Sequence, residues 1–158
     1  GSSNFSGWEI AWAQHYAVQR NYLGLVSEQH KYSLMYRQPE PEVLPCCREL
    51  GIGVLAFSAL EGGLLSGHVG DKQKGHRSNS ERIMNLAEVH RQRLEAFSAL
   101  CREIGEDEAT VSIAWVLHNH VVTSVIIGPR TTEQLQSCIK AEAVQLDKEL
   151  MDKLNHIF

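Results

Sequence analysis

No apolar run in this sequence approaches the ~20 residues that would cross a bilayer, and no charged-then-apolar start resembles a signal peptide. A membrane partner is not expected, and a cytoplasmic setting follows. Clustered basic residues are also missing. The 15 Lys and Arg are scattered among 19 Asp and Glu, for a formal net charge of -4, so neither nucleic acid nor an anionic membrane is the expected main partner. The four cysteines, Cys46, Cys47, Cys101 and Cys138, contain no C-x-x-C spacing. Adjacent thiols cannot easily bridge each other, so buried free thiols are the reading. Among the eight histidines only His118 and His120 stand close together. An i, i+2 pair at a helix end points to different sides, so no metal site is expected.

What is present is a core. A chain of 158 residues with 43% hydrophobic content reads as one soluble globular domain. Its organising stretch is VVTSVIIGPRTTEQL, residues 121–135. The apolar run Val121, Val122, Val125, Ile126 and Ile127 reads as a strand buried on both faces, stopped by Gly128-Pro129. Thr131 stands three residues before Gln134, the spacing of a helix N-cap. A strand end then faces a helix N-terminus, with free N–H groups, the positive end of the helix dipole and Arg130 in one small space. That is a place for a phosphate. The plain alternative is a βα turn with an exposed arginine.

Other elements follow from pattern. Ser6 and Glu9 have capping-box spacing, and Trp8, Trp12, Ala13, Tyr16 and Ala17 give the helix after them an apolar side. Leu23 to Gln29 is a short strand candidate. Pro39, Pro41 and Pro45 cluster around the start of a helix whose stripe is Val43, Leu44, Cys47 and Leu50, closed by Gly51. Ile52 to Ser58 is a strand of the type covered on both faces. Residues 66–85 read as a polar, mobile loop. Asn85 with Glu88 opens a helix with Leu86, Val89, Leu94, Phe97, Leu100, Cys101 and Ile104 facing inward until Gly105. Asp107 starts another, which lies against the sheet, and Asp147 caps the last. Buried strands alternating with helices imply parallel βα units.

Four segments, taken in order, resemble the aldo/keto reductases. They are Ser3-Asn4-Phe5 at a strand end before a helix, the strand-end Gln29, Phe57-Ser58-Ala59-Leu60-Glu61-Gly62, and Gly128-Pro129-Arg130-Thr131-Thr132-Glu133-Gln134-Leu135. The resemblance implies an α/β fold: the C-terminal half of a (β/α)8 TIM barrel, with about four parallel strands and surrounding helices. A whole barrel takes ~250 residues. Residues 1–158 would form a partial domain with a loop over 61–85.

It also implies NADP(H) as cofactor. By position, Ser3, Asn4 and Gln29 would hold the nicotinamide carboxamide, and the Phe57 ring would stack on the nicotinamide. Ser58, Leu60 and Gly62 lie on the segment that wraps the diphosphate. Arg77 is the candidate loop clamp, while His68 stands where the family has a lysine. Gly128 gives backbone room, Arg130 faces the 2′-phosphate, and Gln134 reaches the adenosine end. Ser137-Cys138 stands where the family has Glu-Asn, which puts Cys138 at the adenine. Ala59 replaces a proline, and Glu61, a negative charge beside a diphosphate, is expected to point away.

The family's catalytic Asp, Tyr, Lys and His come from the first half of its barrel. No catalytic residue is therefore assigned here, and Lys31 and Tyr32 do not match the family spacing. The expectation is an oxidoreductase half acting on aldehyde or ketone carbonyls, inactive alone, with a small carbonyl substrate only when complemented. The alternative is a non-catalytic remnant or interaction module, as in the related potassium-channel β-subunits. Two open sheet edges predict association with a copy of the chain or with a separate first-half chain.

Overall fold

The computed structural model describes residues 1–70 and 79–158. Strands β1 (Ser2–Ser3), β2 (Ser27–Lys31), β3 (Gly53–Phe57) and β4 (Val122–Val125) form one sheet in that order, and each neighbouring pair is parallel. Parallel neighbours need a crossover. Helix α1 (Gly7–Gln19) joins β1 to β2, α2 (Val43–Glu49) joins β2 to β3, and α3 (Glu81–Val89), α4 (Arg91–Ile104) and α5 (Glu108–Leu117) precede β4. Helices α6 (Thr132–Lys140) and α7 (Lys148–Ile157) close the chain. This is the α/β architecture of four parallel strands with surrounding helices that the sequence implied.

The core lies between the sheet and the helices. Val54 and Ala56 of β3 meet Ile10, Leu44 and Cys47 from α1 and α2, and Val111, Ile113 and Val116 from α5. Side chains alternate along a strand, and the partners of that alternation, Leu55 and Phe57, are only half-buried. The expectation that β3 is covered on both faces is therefore corrected. Helices cover one face, and the other is partly open. Strand β4 is corrected in the same way. Only Val122 is buried, while Ser124, Ile126 and Ile127 are exposed, because β4 is the sheet's last strand and stops at Val125.

Strand β2 begins at Ser27 rather than Leu23. Gly24 adopts φ +79, and Gln14 holds the segment as a turn, donating to Leu23 O at 3.2 Å and accepting from Leu25 N–H at 2.9 Å. Helix α1 does start with the Ser6/Glu9 capping box, in which Ser6 N–H donates to Glu9 at 2.8 Å. Its aromatic side is not buried, however. Trp8, Trp12 and Tyr16 are 59%, 53% and 50% exposed, and the buried positions are Gly7 and Ile10. Helix α1 follows the edge strand and packs on α2, so the aromatic rings find one another instead: Trp12 and Tyr16 stack at 6.1 Å.

The helix expected from Asn85 is two helices. Ser80 caps α3 by accepting from Ile83 N–H at 3.4 Å, Asn85 lies inside that helix, and the chain breaks at His90 before α4. The loop expected to run to 85 therefore ends before Glu81. Residues 71–78, with the candidate Arg77, lie outside the described residues. Asp147 caps α7, accepting from Leu150 N–H at 2.8 Å, and Gly105 ends α4 at φ +72. The four thiols are free, Cys47 and Cys101 buried and Cys46 and Cys138 half-buried. Among the described residues, no helix is long and apolar enough to cross a membrane.

Candidate functional site

Strand register assembles the site. Ser3 pairs with Gln29, Gln29 with Leu55, Lys31 with Phe57, and Leu55 with Ser124. Alternation puts these residues on the open face, away from the helices. Because all four strands run the same way, their C-terminal ends form one rim. Asn4, Lys31, Ser58 and Ile126 stand on it, and Ile126 N–H still donates to Ala56 O at 2.8 Å. Arg130 follows four residues later.

Backbone strain concentrates on this rim. Among the described residues four non-glycines have positive φ, and three of them, Asn4 (+55), Ser58 (+59) and Glu61 (+48), lie at the tips of β1 and β3. Each such conformation costs of order 1–3 kcal/mol and persists only where its surroundings enforce it. Asn4 is enforced by β2: its N–H donates to Gln29 O at 2.9 Å, and its Oδ1 accepts from Lys31 N–H at 3.4 Å. Asn4 Nδ2 also donates to Ser3 Oγ at 3.1 Å.

The turn after β3 is held from the same strand. Lys31 Nζ donates to Glu61 Oε2 at 2.8 Å, and Ser33 Oγ donates to Glu61 Oε1 at 2.7 Å. Lys31 Nζ also sits 4.4 Å from the centre of the Tyr36 ring. The carboxylate of Glu61 is thus held by Lys31 of β2 and by Ser33. Sequence reasoning missed Lys31 as its partner, although Lys31 follows Gln29 by two residues and must share its face. At Gly62, φ is +70, which favours glycine, and a Cβ would meet Ile83 Cδ1 at 3.3 Å, a contact that the end of that side chain must yield to by a few tenths of an ångström. Leu60 is half-buried against the core.

At the last rim position Thr131 caps α6 as expected, but the return bond of Gln134 goes to the backbone N–H of Arg130 and not to that of Thr131. Gln134 N–H donates to Thr131 Oγ1 at 3.3 Å, and Arg130 N–H donates to Gln134 Oε1 at 2.8 Å. Arg130 is exposed, and a Cβ on Gly128 would meet nothing within 4 Å. Glu133 stands at the same helix start, its carboxyl held below the usual range first by its own backbone N–H and then by the Thr131 hydroxyl. Cys138 lies in the second turn of α6, half-buried against the core, and burial pushes its thiol up.

The exposed Arg130 guanidinium suits an anion. The free N–H groups expected beside it are not found: those of Arg130 and Gln134 are taken by Gln134 Oε1 and Thr131 Oγ1, that of Glu133 meets its own carboxyl, and this carboxylate sets a negative charge at the helix start. The amides of Asn4 and Gln29 and the half-buried Phe57 ring suit a carboxamide-bearing aromatic ring. Tyr32 belongs elsewhere. It is buried, its hydroxyl donates to Glu40 Oε1 at 2.8 Å and accepts from Asn119 Nδ2 at 3.2 Å, and burial above all pushes its phenol well above the usual range. A separate cleft of about 270 Å³, lined by Leu64, Arg91, Phe97, Ser98 and Glu108 among others, includes none of the rim residues. Among the described residues no group of three or more His, Cys, Asp or Glu is placed to hold a metal ion.

The family profile described as "Aldo/keto reductase family" matches residues 1–158. The chain is 54% identical over 158 residues to the uncharacterized oxidoreductase YrpG of Bacillus subtilis (strain 168), covering 100% of this chain and 48% of that protein. It is 27% identical over 168 residues to a Schizosaccharomyces pombe protein provisionally named a voltage-gated potassium channel subunit beta, covering 99% of this chain and 49% of that one. To the aldo-keto reductase AFTS1 of Alternaria alternata it is 30% identical over 161 residues, covering 94% of this chain and 41% of that protein. The chain spans about half the length of the curated relatives it matches.

Proposed function

The chain belongs to the aldo/keto reductase family, and on that premise we propose that it is the NADP(H)-binding half of an oxidoreductase acting on aldehyde or ketone carbonyls. The observation that carries this reading is the register that sets Ser3, Gln29 and Phe57 on one open face, with Asn4 and the 58–63 turn held in strained form on the rim above it. The bound cofactor would supply a hydride to a carbonyl carbon. This chain's part is to bind and orient. Ser3, Asn4 and Gln29 offer a hydroxyl and two amides to a carboxamide, Phe57 offers a ring face, and Arg130 offers a cation to the 2′-phosphate.

A charge-assisted bond of that kind contributes about 1.5–3 kcal/mol, or roughly ten- to a hundredfold in affinity. NADH lacks the 2′-phosphate and should forgo that gain. Isothermal titration therefore tests the reading: the chain should prefer NADPH, and Arg130→Ala should abolish the preference. Binding of neither nucleotide would refute it. No residue of this chain is assigned as proton donor, and a general acid contributes typically 10²–10⁴-fold. The chain alone is accordingly proposed to be inactive, and turnover of an aldehyde by it would contradict that part.

A second reading, a non-catalytic interaction module, draws on the exposed row Trp8, Trp12 and Tyr16 of α1. In either reading a copy of the chain or a separate first-half chain would pair with the unpaired edges of β1 and β4. A cytoplasmic setting suits four unbridged thiols.

A further inference from the structure

Strand β2 carries a buried carboxylate that the cofactor reading does not use. Glu28 is 0% exposed on the helix-facing side of the sheet, where its register partner Val54 is also buried. Its Oε1 accepts from Phe5 N–H at 3.1 Å and lies 3.0 Å from His30 Nδ1. Among the described residues its Oε2 has no hydrogen-bond partner, and neither does the buried Oγ of Ser2, its register partner on β1. A carboxylate in the core without full satisfaction is costly, and apolar residues of similar volume usually serve stability better.

The position explains the residue. Phe5 N–H follows directly on Asn4, whose φ of +55 turns the chain off β1 and presents Ser3 and Asn4 at the rim. Two of the bonds that enforce this turn come from the β2 backbone, at Gln29 O and Lys31 N–H, and would survive almost any side-chain change on β2. The third comes from Glu28 alone. It fixes the residue after the turn, and with it the direction in which the chain leaves for α1. Helix α1 is not the source of this restraint, because its own cap begins one residue later, at Ser6.

We infer that Glu28, steadied by His30, is a positioning residue that holds the Ser3-Asn4-Phe5 turn in the form that meets the nicotinamide end of the cofactor. This rests on the proposed cofactor reading. The side chain itself lies behind the sheet and touches no ligand.

The test compares the chain with Glu28→Met, which removes the acceptor, and Glu28→Gln, which keeps one. Without any nucleotide, amide hydrogen exchange at Phe5 should be at least about tenfold faster in Glu28→Met, while Val54 and Ala56 in β3 keep their rates. Glu28→Gln should keep Phe5 protected. With nucleotides, Glu28→Met should weaken NADPH about tenfold and leave 2′,5′-ADP, which has no nicotinamide, within about twofold. Unchanged exchange at Phe5 in Glu28→Met, or an equal loss for both nucleotides, would overturn the inference. If Glu28→Met does not fold, Glu28→Gln decides: loss of NADPH affinity while Phe5 stays protected would equally overturn it. If the unaltered chain binds neither nucleotide, the cofactor reading fails, and the exchange result still judges the hold on the turn.

Discussion

Removing either partner of the Lys31–Glu61 pair should have unequal consequences, and the inequality can be worked from the structure. The ion pair is close, 2.8 Å, with side chains 27% and 13% exposed. At an effective dielectric near 20 the bare attraction is about 6 kcal/mol, but desolvation of both ions offsets most of it, which leaves a coupling of about 1–2 kcal/mol. Lys31→Met strands the more buried partner. Glu61 would keep only the Ser33 hydroxyl, at a backbone φ of +48 that the pair helps to enforce, so the loss should reach about 2–3 kcal/mol. Glu61→Gln leaves an ammonium that can stay over the Tyr36 ring, 4.4 Å away, or turn to water, and Gln can still accept from Ser33. That loss should be nearer 1 kcal/mol.

Binding should separate the two variants by sign. Lys31→Met exposes an uncompensated negative charge where a diphosphate is proposed to approach, and NADPH affinity should fall. Glu61→Gln uncovers a positive charge, and affinity should rise at low salt and return towards the parent value as salt is added. Urea denaturation of both single variants and the double variant gives the coupling energy, and titration at two salt concentrations gives the binding arm. Equal destabilisation by the two single changes, or a coupling below about 0.3 kcal/mol, would refute this account of what holds the 58–63 turn.

Two further outcomes follow from the core. Burial, before any other cause, pushes the Cys47 thiol up to about 11 and the Cys101 thiol up to about 12. A thiol whose folded value is raised contributes stability that is complete below its unfolded value and lost as pH rises towards the folded one. Urea midpoints should therefore decline from about pH 9 upward, and the decline should be shallower in Cys47→Ala/Cys101→Ala; the same slope in both proteins would contradict this. Phe97 is 1% exposed and meets Phe158 edge-on at 5.5 Å, so Phe97→Ala should cost about 3–5 kcal/mol in urea denaturation. A loss under about 1 kcal/mol would mean that the side of the core under α4 is not packed as described.

What was legible in the sequence was local. The Ser6/Glu9 box, the Thr131 cap on Gln134 N–H and the Asp147 cap on Leu150 N–H each depend on residues three apart, and all three are present. Ser80 escaped the same rule because its third residue on is Ile83, which cannot reach back to the cap, whereas Asn85 with Glu88 satisfied the spacing inside a helix already under way. Illegible were the questions that neighbours decide. Trp8, Trp12 and Tyr16 have the spacing of a buried face, and Ile126 and Ile127 the composition of a buried strand, yet α1 and β4 stand at the two ends of the sheet, where those sides meet no further element. Apolar periodicity reveals which residues share a side, and only the assembled sheet reveals whether anything covers it.

The site was legible as motifs and not as a site, and β2 shows why. Its five residues, Ser27-Glu28-Gln29-His30-Lys31, include no apolar side chain, yet the strand sits inside the sheet between β1 and β3. No hydrophobic pattern could mark it, and the apolar stretch just before it, Leu23 to Val26, drew the expected strand too early. Once register is known, the alternation divides its functions. Gln29 and Lys31 face the open side with Phe57, while Glu28 and His30 face the helices, where Val54 and Ala56 would lead one to expect aliphatic neighbours. A central strand polar on both sides departs from what stability alone selects, and such departures belong at functional positions. On the open side the polar groups are those proposed to meet the cofactor. On the closed side they brace the turn that presents Ser3 and Asn4, so both faces of one short strand serve the same rim.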